Sequence, residues 1–90
     1  MPFFSDLYTL GTAASLVCPP ATVAQHVTLH NSEKSSNHYI HIGGSAGITV
    51  NNSIHIDNAD TYSFMLPPGE AIYALGTADG YKLGVMRTYY

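Results

Sequence analysis

The sequence predicts a small all-β domain, an antiparallel β-sandwich or jelly-roll-like barrel of about seven or eight short strands with an N-terminal arm. Three observations lead there. Apolar and polar residues alternate with period two over several short runs, clusters of Gly, Asn and Pro interrupt the chain about every ten residues, and no stretch makes a convincing helix. Ninety residues make one domain with room for one modest core.

The alternating pattern begins only after residue 22, so residues 1–22 are expected to form an arm or extended segment and residues 23–90 the sandwich. From Val23 to Leu29, Val23, Gln25, Val27 and Leu29 share one register and His26, Thr28 and His30 take the other, which is a strand. Thr22-Val23-Ala24-Gln25 matches a helix capping box, but the β-branched Val23, Val27 and Thr28 weigh against a helix. Asn31 to Asn37 is a polar loop and reads as a hairpin tip. His38 to Ile42 follows as a strand, Gly43 to Gly47 as a turn, and Ile48 to Val50 as a short strand. Asn51-Asn52 is a tight reversal into a strand from Ser53 to Asp57, and Asn58 to Asp60 turns again. Thr61 to Leu66 sets Tyr62, Phe64 and Leu66 against Thr61, Ser63 and Met65. Pro67-Pro68-Gly69 suits a type II turn, because proline fixes φ and glycine supplies the positive φ. Glu70 to Leu75 is a strand, Gly76 to Gly80 a turn, and Tyr81 to Tyr90 the last strand.

Composition narrows the function. Only 10% of the residues are charged, against roughly 25% in ordinary soluble domains. Ser, Thr and Asn together supply 21 residues, so the surface is polar but nearly uncharged, which suggests that other protein covers much of it. The net charge of −3 sets Lys34, Lys82 and Arg87 against six acids; no basic stripe exists for phosphates, and nucleic-acid binding is not expected. The N-terminus has neither a signal-peptide pattern nor an apolar run long enough to span a membrane, so cytosolic synthesis is expected. The single Cys18, beside Pro19-Pro20, reads as a small packed hydrophobe.

Catalytic patterns dissolve on inspection. Gly43-Gly44-Ser45-Ala46-Gly47 fits the nucleophile elbow of serine hydrolases, but that elbow must open a helix, and Ile48-Thr49-Val50-Asn51-Asn52 is strand-and-turn material. No histidine follows Asp57 to complete the order Ser, acid, His, so Ser45 reads as a turn residue. Five histidines raise the question of a metal. His26 and His30, four apart on one strand, sit about 13 Å from each other at roughly 3.3 Å per residue, too far to share an ion. His38 and His41 face opposite ways, whereas His41 and His55 are able to meet across neighbouring strands. The histidines read as outward polar residues, and no metal or cofactor is expected. Asp57-Asn58-Ala59-Asp60 lacks the EF-hand spacing and reads as an Asx-type turn. Asn51-Asn52-Ser53 matches a glycosylation sequon, which without a secretory signal is expected to have no consequence. No enzymatic activity is expected.

Aromatic residues stand at both ends, Phe3-Phe4 at the start and Tyr89-Tyr90 at the finish, where chains are usually polar and frayed. With Leu7 they form the candidate interaction set Phe3, Phe4, Leu7, Tyr89 and Tyr90. Together with the low charge they predict a homo-oligomer, a trimer.

The order "HVTLHN", "HYIHIGG", "GITVNNSIHI", "MLPPGEAIYAL" and "YKLGVM", over about residues 23 to 86, resembles small β-rich virion proteins of tailed bacteriophages, most of all capsid cement or decoration proteins. The resemblance implies a non-enzymatic structural protein on the capsid surface that bridges shell subunits, with itself and a phage major capsid protein as partners. Neck, tail or fibre components of the same class are the alternative it leaves open; from another class, a small metal- or sugar-binding β-barrel requires clustered ligands.

Overall fold

A computed structural model describes residues 3–35 and 37–89, and of residues 3 and 89 the backbone only. Eight strands are present: β1 (Phe3–Leu10), β2 (Ser15–Cys18), β3 (Gln25–Asn31), β4 (Ile40–Gly43), β5 (Ile54–Ile56), β6 (Thr61–Leu66), β7 (Ile72–Gly76) and β8 (Tyr81–Tyr89). They make two four-stranded antiparallel sheets of order β1-β8-β3-β6 and β2-β7-β4-β5. Only β4 and β5 are joined as a hairpin within one sheet; every other connection crosses from one sheet to the other. That alternation is the jelly-roll topology of two intertwined Greek keys.

Period-two patterning decides which side of each strand is buried. On β3, Gln25, Val27, Leu29 and Asn31 point inward, while His26, Thr28 and His30 point out. The core sits between the sheets, with Leu10, Val27, Leu29, Leu66, Leu83 and Val85 on one wall and Val17, Ile40, Ile42, Ile56, Ile72 and Ala74 on the other. Each such aliphatic side chain contributes roughly 1.5–3 kcal/mol on burial.

Two buried polar side chains close the ends of β3's inward row. At one end Gln25 Nε2 donates to the Pro19 carbonyl at 3.0 Å, and Oε1 accepts from Arg87 Nη1 at 3.3 Å. At the other end Asn31 Nδ2 donates to the carbonyls of His38 at 2.8 Å and Ile56 at 3.0 Å, while its Oδ1 accepts from the Glu33 N–H at 3.0 Å. Asn31 thereby ties one sheet to β5 of the other and to the crossing loop. Cys18 is buried in the core, as its sequence context suggests, and burial pushes its thiol pKa up against the smaller opposing effect of Arg87.

Three expectations are corrected. Residues 1–22 are not a separate arm: β1 pairs with β8 over its whole length and β2 pairs with β7, so the segment supplies one strand to each sheet. Ile48–Val50 is not a strand; Ile48 packs on Gly43, and Thr49 anchors a turn through its N–H to Asn52 Oδ1 at 2.6 Å and its carbonyl from Ser53 Oγ at 2.6 Å. The segment after Asn31 is a crossing between sheets rather than a hairpin tip, because Ser32 continues beside β8 through its N–H to the Lys82 carbonyl; Ser36 lies outside the described residues. The Pro67-Pro68-Gly69 turn forms as expected, with the Glu70 N–H on the Pro67 carbonyl at 3.2 Å and Gly69 at φ +81°.

Candidate functional site

The register of the β1-β8-β3-β6 sheet arranges its outward residues in transverse rows. Leu7, Gly84, His30 and Thr61 make one row, Ser5, Met86, Thr28 and Ser63 the next, and Thr88, His26 and Met65 a third. Two polar rungs brace the β3–β6 half: Thr28 Oγ1 and Ser63 Oγ at 2.8 Å, and His30 Nδ1 and Thr61 Oγ1 at 2.8 Å. Cross-strand pairs of this kind are worth roughly 0.2–1 kcal/mol each. Gly84 has no side chain to fill its place, which leaves an open hollow flanked by Leu7, Met86 and His30. Large apolar side chains stand out of the face: Leu7 is 61% exposed, Met65 52% and Met86 44%. Lys82, at the end of the face, donates from Nζ to Thr9 Oγ1 at 3.0 Å. This face offers a neighbour apolar and hydroxyl contacts with almost no ionic group to strip of water.

Of the candidate interaction residues, Leu7 lies on this face, but Phe4 does not. Successive residues of a strand point to opposite sides, and Phe4 shares the inward register of Tyr8 and Leu10, where the Arg87 guanidinium lies 4.7 Å from its ring centroid. Backbone pairing sets Phe3 opposite Thr88 and Tyr89 opposite Gln25, so the two chain ends share one corner of this sheet. The side chains of Phe3 and Tyr89, and Tyr90 altogether, fall outside the described residues. Met65 and Met86 were missed by sequence reasoning; each sits in the polar register of its strand, and that misplacement was the available signal.

The histidines divide into three settings. His26 and His30 point outward on β3. His38 stacks on Tyr81 with centroids 4.5 Å apart and donates to Glu33 at 3.1 Å. That hydrogen bond, with the Lys82 N–H second, holds the Glu33 carboxyl below its usual range. His41 and His55 meet as a direct cross-strand pair on the outer side of the other sheet, ring centroids 5.9 Å apart. Burial, and then the proximity of His55, lowers the His41 pKa. Among the described residues no three His, Cys, Asp or Glu side chains converge on a common point.

Ser45 lies exposed in the Gly43–Gly47 turn, and its carbonyl accepts the Ile48 N–H; the imidazole of His41 is engaged by Ser53 instead. An apolar hollow opens between the free edges of β5 and β6, walled by Ile42, Ile54, Tyr62, Phe64, Leu66 and Ile72. Among the described residues, Glu70 is the only carboxylate or basic side chain on its rim. Asp57–Asp60 closes a backbone turn, with the Asp60 N–H on the Asp57 carbonyl at 3.1 Å and Ala59 at φ +63°.

No protein-family model matches the chain, and no characterised protein matches it in sequence. Solved structures share its fold. One is from a study of Bacillus endospore appendages, described as disulfide-linked pili: 14% identical, TM-score 0.64, covering 98% of this chain and 85% of the other. Another is the acid-stable capsid of Helicobacter pylori bacteriophage KHP30, 13% identical, TM-score 0.60, covering 96% of this chain and 82% of the other. A third is a de novo designed double-stranded β-helix, 9% identical, TM-score 0.55, with both chains covered in full. At these identities the likeness is one of fold.

Proposed function

We propose that the chain is a non-enzymatic structural protein of a phage virion, a capsid cement or decoration protein that associates with itself and packs on the major capsid protein at the particle surface. The observation that carries this reading is the outer face of the β1-β8-β3-β6 sheet. Four strands at about 4.8 Å spacing and rows two residues apart give it roughly 20 by 25 Å, a patch of about 500 Å² in outline, which suits a modest contact below the standard of about 800 Å² per partner. Its exposed Leu7, Met65 and Met86 sit among hydroxyls rather than charges. Many modest contacts on a lattice then reinforce one another through effective concentration. The fold shared with a phage capsid structure adds support by analogy only, since one fold hosts many functions. The fold shared with a pilus structure favours a second reading within the same class, a subunit of a tail or fibre.

Quantitative mass spectrometry of purified particles of the phage encoding the chain tests both. Several hundred copies per particle are expected of a cement protein. A copy number matching a single small ring would move the protein to a neck, tail or fibre, and its absence from particles would end the virion reading.

A further inference from the structure

We propose that the His41–His55 pair binds a divalent transition-metal ion of the zinc type through two imidazole nitrogens, on the outer side of the β2-β7-β4-β5 sheet. The inference is independent of the virion reading.

The polar contacts around the pair favour one tautomer of each ring. Ser53 Oγ has one proton and donates it to the Thr49 carbonyl at 2.6 Å. Its contact with His41 Nδ1 at 3.0 Å therefore has the ring as donor. Neutral His41 carries its proton on Nδ1 and a bare lone pair on Nε2. That nitrogen has no hydrogen-bond partner, yet no buried side-chain nitrogen is left unpaired among the described residues, so Nε2 reaches solvent. On β5 a carboxylate stands beside the other ring: His55 Nε2 lies 3.1 Å from Asp57 Oδ1, and because a carboxylate oxygen only accepts, this ion-pair contact favours the proton on Nε2 and the lone pair on Nδ1.

Each ring thus has one nitrogen held by a neighbouring oxygen and one bearing a free lone pair, the arrangement by which outer groups orient metal-ligating histidines. The distance suits it. Two imidazoles each at about 2.0–2.1 Å from one tetrahedral ion have ring centroids roughly 5.2 Å apart, so binding asks the pair to close by less than about 1 Å. His41 and His55, held opposite each other by the β4–β5 ladder, have centroids at 5.9 Å. His55 is exposed, which provides an entry path, and the Asp57 carboxylate adds negative charge beside it. With no third side chain converging, water completes the coordination sphere.

Zinc chloride titrated into the full-length, metal-free protein, followed by calorimetry and by histidine-ring nitrogen NMR, tests the site. The metal-free spectrum is expected to find His41 protonated on Nδ1 and His55 on Nε2. One zinc per chain is expected to bind and shift His41 Nε2 and His55 Nδ1. His55→Gln, at an exposed position that leaves the core intact, lowers the affinity more than about tenfold, and Asp57→Asn lowers it about tenfold. His26→Gln and His30→Gln leave it unchanged. No binding at millimolar zinc, the opposite tautomers, or an affinity unaffected by His55→Gln each overturns the proposal.

Discussion

Asn31 is the residue on which the two sheets depend most. Its side chain satisfies two carbonyls and one N–H, and its backbone pairs with Asp60 and Ala59, so truncation strips partners from three groups at a buried seam. Asn31→Ala is expected to cost about 2–4 kcal/mol, read as a lower urea midpoint with an unchanged slope. A loss below about 0.5 kcal/mol would mean that water replaces all three bonds. His41 carries a pH dependence. Its folded pKa lies below the ordinary 6.5, so the unfolded chain takes up a proton first as pH falls. The contribution is complete above pH 6.5 and is lost as pH drops toward the folded value. Urea unfolding of metal-free protein is expected to give a stability that declines from about pH 7 to about pH 5, and His41→Gln to flatten part of that decline. Parallel pH profiles for the two proteins would assign the acid sensitivity elsewhere.

At the scale of the element, β1 is where the sequence misleads and the structure instructs. Phe4, Asp6, Tyr8 and Leu10 take its inward register, and Ser5, Leu7 and Thr9 the outward one. Apolar residues fall on both sides and a charge on the core side, so no period-two signal survives. β2 hides for another reason: a register shift between Leu16 and Cys18 brings the consecutive Val17 and Cys18 both inward and breaks the alternation. β1 is itself an edge strand, so trimming the N-terminus has a definite structural cost. Deleting residues 1–6 removes the pairing of Phe3 to Asp6 with Val85 to Thr88 and the Phe4–Arg87 stack. The truncated chain is expected to keep its β-rich circular dichroism but lose about 1–3 kcal/mol of unfolding free energy. Unchanged stability would mean that this half of β1 adds nothing to the sheet.

For the whole molecule, the nearly uncharged outer face of the β1-β8-β3-β6 sheet and the corner that Phe3 and Tyr89 share bear on association. Light scattering is expected to give a multiple of the 9.7 kDa chain mass, a trimer, at micromolar concentration. Leu7→Lys combined with Met86→Lys places two charges on outward positions of that face and leaves the core untouched. It is expected to weaken association more than about tenfold without loss of fold, because a buried unpaired charge at a contact costs several kcal/mol. A wild-type mass near 9.7 kDa would sink the oligomer. A double variant that associates like the wild type would move the contact to another face.

Local pattern was sufficient for the class and for much of the strand content. Alternation in residues 25–31 and 61–66 separated the two registers that become the core and outer sides, and Pro67-Pro68-Gly69 named its turn, because side-chain direction and allowed φ are properties of a few consecutive residues. What local pattern does not contain is the identity of the partner strand. The pairings of β1 with β8, β3 with β6 and β2 with β7 join distant segments, and they turned a presumed arm into two strands and a presumed hairpin tip into a crossing. The candidate sites divide along the same line. That His41 and His55 are able to meet was legible from the strand pattern; that Ser53 takes one nitrogen of His41 was not, because that contact exists only once the β4–β5 loop has folded back on its own sheet. Leu7 was legible as an exposed apolar residue, but its row with Gly84, His30 and Thr61 draws on four strands, and a surface of that kind is made by sheet register, which only the burial of the common core fixes.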